Sequence, residues 1–135
     1  MPPSEALSLT MSQKLAWLAL AGALGTLARF ATASTVQKWS GASFPWGTFL
    51  VNASGCLLFG FVWQLAEGRR IISPDARLIA LTGFLGAFTT FSTFAFESTQ
   101  MIREGYWLAL AGNLIGQNAL GIACVVLGMA LGRML

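Results

Sequence analysis

The stretch GFLGAFTTFSTFAFE, residues 83–97, places polar groups inside an apolar run. It holds four hydroxyl side chains within the five positions 89–93, together with two glycines and a carboxylate. Gly86 weakens a helix, and the hydroxyl groups offer local hydrogen bonds that compete with the helical ladder. One interpretation is therefore a break in a helix, whose freed carbonyls need a buried partner or a cation. The other is a continuous helix whose hydroxyls donate to carbonyls of the preceding turn.

The residues around this stretch are too apolar for a water-soluble domain. The chain has 135 residues, 56% of them hydrophobic and 10% charged, where soluble domains carry about 25% charged residues. A transmembrane helix needs about 20 apolar residues, and four runs are long enough, at about 15–34, 46–66, 77–101 and 107–134. The sequence predicts an all-α integral membrane protein: residues 1–14 form a flexible tail and residues 15–134 a single four-helix transmembrane domain.

The ends of these runs carry the residues expected at a membrane surface. Aromatic side chains at the ends resemble an interfacial belt: Trp39, Trp46, Tyr106 and Trp107. Basic residues are more frequent on the side of the membrane that holds the two termini. That side has five: Lys14, Arg69, Arg70, Arg77 and Arg133. The other side has two, Lys38 and Arg103, or three if Arg29 is included. This bias favours both termini in the cytoplasm. We expect no cleaved signal peptide, because no positively charged region precedes the first run.

Composition argues against several classes of protein. The chain has no histidine, and its five acidic residues do not show metal-ligand spacing, so we expect no enzyme active site. Cys56 and Cys124 both lie in apolar runs, which is typical of inert buried thiols. No basic stripe accompanies stacking aromatic residues, so nucleic acid is not an expected partner.

Polar side chains within the runs are the candidate functional residues. Asn52 lies in the middle of the second run, and Asn113 and Gln117 lie four positions apart in the fourth. Each amide must face protein or a pore, and an interhelical hydrogen bond is the structural alternative. Arg29 and Glu97 are also candidates, although each can instead be paired or extend toward the membrane surface.

Aromatic and small residues add two further patterns. Phe91 and Phe94 are three positions apart and share a helix face. Their positive ring edges suit an anion, although such a stripe also suits a core. Glycines four apart permit close helix packing, within one subunit or between two: Gly112 with Gly116, and Gly128 with Gly132. We expect an oligomer, because the polar groups need a surface other than lipid.

The segments GALGTLARF, WGTFLVNASG and TGFLGAFTTFSTFAFE, taken in order, resemble the small fluoride channels of the Fluc (also called CrcB) family. The resemblance implies an antiparallel, dual-topology homodimer with a broken third helix, two fluoride pathways and a structural sodium ion on the dimer axis. It places that sodium on the backbone carbonyls of Gly86 and Thr89. The implied fluoride pathway consists of Arg29, Asn52, Phe91, Ser92, Thr93 and Phe94.

The fourth span departs from the family pattern, because Gln117 and Gly121 stand where relatives have serine or threonine. Asn113 and Gln117 are therefore only possible lining residues. The resemblance implies passive fluoride export across the cell inner membrane by a multi-pass protein, which relieves fluoride toxicity. Its partners are fluoride, the lipid bilayer and a second copy of the chain or a paralogue.

Other small membrane proteins fit the residues less well. A four-helix multidrug or cation transporter is the main alternative, but it needs a carboxylate in the first span, and that span has none. A small lipid kinase needs interfacial acidic residues for magnesium, and a purely structural subunit needs no polar line in lipid.

Overall fold

The fold is all-helical over residues 8–41 and 43–135, which a computed structural model describes. The described elements are α1 (Met11–Ser40), α2 (Trp46–Trp63), a π-helical segment (Gln64–Gly68), α3 (Pro74–Leu78), a second π-helical segment (Ile79–Leu85), α4 (Gly86–Phe88), α5 (Phe91–Glu104) and α6 (Trp107–Arg133). Within these ranges four spans are long and apolar enough to cross a membrane: Met11–Ser40, Trp46–Gly68, Pro74–Glu104 and Trp107–Arg133. The predicted all-α class with four apolar helical spans is confirmed.

Helix α1 extends beyond the first apolar run at both ends. It begins earlier than predicted because Thr10 and Gln13 form a capping box, in which each side chain accepts a hydrogen bond from the other residue's backbone N–H. It ends at Gly41, whose φ of 57° is left-handed and therefore favours glycine. Of the predicted tail, residues 1–7 lie outside the described part of the chain.

The start of α1 is tied to the start of the third span. Lys14 Nζ lies 2.8 Å from a carboxylate oxygen of Asp75, and the backbone N–H of Leu9 donates to the other oxygen at 2.6 Å. The loop before α3 is closed by an ion pair between Arg77 and Glu67. These contacts hold the two charged segments on one side of the bundle.

The third span is not a uniform α-helix. Ser73 caps α3 and Pro74 occupies its first turn, where a missing N–H costs nothing. The chain then continues as the π-helical segment and α4. Thr89 and Thr90 have extended backbone, with ψ of 158° and 114°, and α5 begins at Phe91.

Glycines allow the closest helix contacts, which join α2 to α6. A Cβ atom on Gly128 would overlap the carbonyl of Leu57, and one on Gly60 would overlap the carbonyl of Val125. Gly132 lies against Gln64, so Gly128 and Gly132 pack within the subunit. Gly112 and Gly116 instead lie beside aromatic rings of Phe44 and Phe49.

The buried core lies between α2 and the third span. Val51 is fully buried and packs with Leu81, Leu85 and Phe88. Many apolar side chains of α1 and α6 are exposed in the single chain, including Leu27, Phe30, Ile115, Ile122 and Val126. Such an outer surface is typical of helices that face lipid.

Candidate functional site

The site forms around the two extended residues of the third span. In a continuous α-helix the N–H of Thr90 would donate to the carbonyl of Gly86, but here it donates to Asn52. Likewise the N–H of Thr93, which would donate to the carbonyl of Thr89, donates to the Thr90 side chain at 3.3 Å. The carbonyls of Gly86 and Thr89 therefore lose their regular helical donors.

Asn52 of α2 pairs with the backbone of Thr90 at two points. Its Oδ1 accepts from the Thr90 N–H at 2.8 Å, and its Nδ2 donates to the Thr90 carbonyl at 3.1 Å. Thr90 is buried, and a buried backbone group without a partner costs about 1–3 kcal/mol. The Asn52 amide thus forms hydrogen bonds with both backbone groups of Thr90, as a neighbouring strand would do.

A chain of side-chain hydrogen bonds continues from Asn52 to α6 and back to α5. Asn52 Nδ2 donates to Gln117 Oε1 at 2.8 Å, and Gln117 Nε2 donates to Asn113 Oδ1 at 2.9 Å. Asn113 Nδ2 then donates to Ser98 Oγ at 3.0 Å, and Ser98 Oγ donates to the Phe94 carbonyl at 2.8 Å. Asn113 and Gln117 thus share a face, as their spacing predicts.

An open cleft of about 280 Å³ lies beside this chain. Asn52, Gln117, Phe91 and Phe94 are among its lining residues. The two rings are in contact, with centroids 5.7 Å apart and planes inclined by 51°. Phe94 is buried, whereas Phe91 is 78% exposed, so Phe91 is the exposed member of the pair.

A second cleft, of about 270 Å³, also has Thr90 among its lining residues. Arg29, Thr48, Thr90 and Thr93 are among its lining residues. Arg29 Nη1 lies 3.5 Å from the carbonyl oxygen of Thr89, at the long limit of a hydrogen bond. Arg29 of α1 therefore lies beside the interruption, as do Asn52 and Thr93, whereas Asn113 lines neither cleft and contacts Gln117 and Ser98.

Glu97 is held by a residue that sequence reasoning did not single out. Its Oε1 accepts from Thr48 Oγ at 2.7 Å, and its Oε2 is buried without a hydrogen-bond partner among the described residues. Ser98, which holds Asn113, was also missed. Thr48 lies on α2 with Asn52, and Ser98 lies on α5 with Glu97. Only the contacts between helices identify Thr48 and Ser98 as part of the site.

On α6, Gly121 contributes no side chain, and a Cβ atom there would meet Cys56 Sγ at 3.5 Å. Gln117 and Asn118 are the polar residues of α6 among those that line the first cleft. Cys56 and Cys124 are free thiols. Among the described residues no three His, Cys, Asp or Glu side chains are grouped in a way that could hold a metal ion.

The fold and the site define a multi-pass membrane protein with polar and aromatic clefts at an interruption of its third span. The chain belongs to the CrcB-like family, because the family model described as "CrcB-like protein, Camphor Resistance (CrcB)" matches residues 16–129. The resemblance predicted from the sequence is confirmed.

Relatives match over almost their full length. A protein of Nitrosococcus oceani is 58% identical over 125 residues, which cover 93% of this chain and 100% of that protein. A protein of Nitratidesulfovibrio vulgaris (strain Miyazaki F) is 54% identical over 122 residues, covering 90% and 98%. One of Solidesulfovibrio magneticus is 50% identical over 125 residues, covering 93% and 100%. All three relatives are named fluoride-specific ion channel FluC.

Proposed function

We propose that this chain forms a fluoride-selective channel that exports the ion passively across the cell inner membrane and so relieves fluoride toxicity. The observation that carries the proposal is the cleft at Thr90, where amides and phenylalanine rings meet within a membrane span. The names and the high identity of the relatives support the choice of fluoride.

The chemistry of the clefts suits a small anion. Fluoride is strongly hydrated, so a pore must replace its water with many donors that bind it without trapping it. Phe91 and Phe94 line the first cleft, and phenylalanine rings have edges of positive potential. Ser92 and Thr93 are exposed residues whose hydroxyl groups can donate hydrogen bonds. Arg29 contributes a positive charge at the second cleft. Asn52 joins the two clefts by holding Thr90 between them.

We propose that the working channel is an antiparallel homodimer. In a single chain Phe91 is 78% exposed, and Ser92 and Thr93 of the same turn are exposed too. Hydroxyl groups facing lipid are unfavourable, so a second copy that covers this turn completes the pathway. A paralogue that inserts with the opposite orientation is the alternative partner.

A structural sodium ion on the dimer axis is part of this proposal. The carbonyls of Gly86 and Thr89 are among the oxygens that lose their helical donors at the interruption. Carbonyl oxygens are ligands that suit a hard cation. Two chains would supply four such oxygens, and the ion would hold the two interrupted spans together.

The test is ion flux through the purified protein in liposomes. Vesicles loaded with potassium fluoride should release fluoride when a potassium ionophore balances the charge, without ATP or a proton gradient. Vesicles loaded with chloride should release almost none. Chloride flux equal to fluoride flux would refute selectivity, and proton-coupled uptake of organic cations would support the multidrug or cation transporter instead.

A further inference from the structure

The loop after the second span has an arginine in a backbone conformation that favours glycine. The N–H of Arg69 donates to the carbonyl of Gln64 at 2.9 Å, and the N–H of Ile71 donates to the carbonyl of Leu65 at 2.8 Å. Arg70 between them has a φ of 55°, and it is the one left-handed residue other than glycine in the described ranges. Helices that end in this way usually have glycine there. Backbone strain of this kind is concentrated at functional sites, so the Arg70 side chain is a candidate ligand-binding group.

Arg70 lines an open cleft of about 460 Å³ at this end of the bundle. Glu67, Ser73 and Arg77 are also among the lining residues. Arg77 forms an ion pair with Glu67, and its guanidinium carbon lies 5.4 Å from the centroid of the Trp63 ring. The negative charge of Glu67 is therefore matched by Arg77, and Arg70 leaves the cleft with a net positive charge.

Donors without an acceptor remain at this cleft. Arg69 and Arg70 are exposed, and neither forms an ion pair with a described residue. Asp75, the next acidic residue along the chain, is already paired with Lys14. Ser73 Oγ accepts a backbone N–H of its own turn, and its hydroxyl hydrogen has no acceptor in the described part of the chain. Guanidinium and hydroxyl donors together suit an anion with several acceptor oxygens, of which phosphate is the common example.

The cleft lies where the chain leaves one membrane span and enters the next, between Trp46–Gly68 and Pro74–Glu104. Trp63 is 40% exposed and Ile71 is 63% exposed, as is typical of side chains at the membrane surface. A phospholipid brings a phosphate together with acyl chains that cover such apolar residues, whereas a free phosphate ion covers none of them.

We propose that this cleft binds the phosphate of an anionic phospholipid headgroup, with the Arg70 guanidinium and the Ser73 hydroxyl as its ligands. Arg69 adds a second positive charge beside the cleft. Arg77 is a positioning residue, because its pairing with Glu67 keeps that carboxylate from opposing the phosphate. The site is independent of the ion pathway, since none of these residues lines either cleft at Thr90.

The test compares phosphatidylglycerol with phosphatidylcholine in mixed micelles of the purified protein. Native mass spectrometry counts the lipids that each chain retains, and denaturant unfolding in the same micelles measures stability. Arg70→Gln should lower phosphatidylglycerol retention about fivefold, the contribution of one basic residue near an anionic membrane surface. Arg70→Gly should lower retention equally. Because glycine relaxes the left-handed backbone, this variant should be at least as stable in phosphatidylcholine micelles as the parent chain.

Arg103→Gln is the matched control, because Arg103 is also an exposed arginine at the end of a span and does not line this cleft. Its phosphatidylglycerol retention should equal that of the parent chain. Equal losses in Arg103→Gln and Arg70→Gln would reduce the effect to general surface charge and overturn the site, as would unchanged retention in both Arg70 variants. Lower stability of Arg70→Gly in phosphatidylcholine micelles would assign Arg70 to the loop structure and also overturn the inference. Inorganic phosphate that binds with the same dependence on Arg70 would refute the lipid as the ligand.

Discussion

Replacing Asn52 with leucine removes the side chain that pairs with the extended backbone of the third span. Leucine has nearly the shape of asparagine, so the packing around position 52 is largely retained. Three polar groups lose a hydrogen bond: the N–H and the carbonyl of Thr90, and Oε1 of Gln117. The substitution therefore tests these hydrogen bonds with little change in buried volume.

The magnitude follows from the number of bonds. Interhelical hydrogen bonds in membrane proteins contribute about 0.6–2 kcal/mol each. Loss of three bonds should lower the free energy of unfolding by about 2–6 kcal/mol. The upper part of this range applies if no water replaces the amide, because Thr90 is buried.

The assay is denaturant unfolding in mixed micelles, followed by tryptophan fluorescence, together with fluoride flux from liposomes. Ser54→Ala is the control on the same helix, since its hydroxyl donates only to the Val51 carbonyl one turn earlier. We expect Ser54→Ala to be nearly neutral and Asn52→Leu to lose both stability and flux. If Asn52→Leu unfolds at the same denaturant concentration as the control, the pairing with Thr90 does not stabilise the fold.

Three further predictions concern the rings, the cation and the helix contact. Phe91→Ile and Phe94→Ile keep an apolar side chain but remove the ring edges, so at least one should lose most fluoride flux while the oligomer stays intact; normal flux in both would assign the rings to packing. Exchange of sodium for a bulkier cation, after long equilibration, should lower flux or dimer stability if the carbonyls of Gly86 and Thr89 hold sodium, and no effect would count against the site. Gly128→Ala should lower the free energy of unfolding by about 1–3 kcal/mol, because its new Cβ overlaps a carbonyl of α2. Gly112→Ala is the control and should be nearly neutral, because the nearest atom to its new Cβ is 3.9 Å away. Equal stability of the two variants would show that α2 and α6 can move apart without cost.

Topology is also open to direct measurement. Basic residues favour termini in the cytoplasm, but an antiparallel homodimer needs the same chain to insert both ways. We expect C-terminal reporters for the cytoplasm and for the exterior to give signal, with an excess of the cytoplasmic one. A silent exterior reporter, with active channels from the chain expressed alone, would refute the antiparallel homodimer.

Hydrophobicity was sufficient to predict the four spans, because the length of each apolar run reflects the thickness of the bilayer. The ends were less accurate, since the capping box at Thr10 and the left-handed Gly41 act through local hydrogen bonds and backbone angles. The π-helical segment Ile79–Leu85 was not predicted at all. Its sequence is as apolar as that of an α-helix and carries no periodic signal that distinguishes the two.

Several residues around the interruption were singled out from the sequence, but their contacts with one another were not predicted. The spacing of Asn113 and Gln117 indicated a shared face, and Asn52 was recognised as an amide that must face protein. The partner of Asn52, however, is a backbone group 38 positions away, and Glu97 meets Thr48 at a separation of 49. No pattern within one helix contains this information, because it depends on which helices pack together.

The two extended residues explain why one site has groups suited to ions of both signs. Residues before the interruption end a helical segment, where carbonyls lack donors, and residues after it begin α5, where N–H groups lack acceptors. The carbonyl end carries partial negative charge and the amide end partial positive charge. Asn52 satisfies Thr90 between them, so the middle of the interruption needs no ion. The carbonyls of Gly86 and Thr89 have no helical donor, although Arg29 lies 3.5 Å from the Thr89 carbonyl, and the start of α5, with Phe91 at its first position, presents N–H groups toward an anion. The carbonyl end of α4 and the N–H end of α5 are therefore separated by two residues, Thr89 and Thr90.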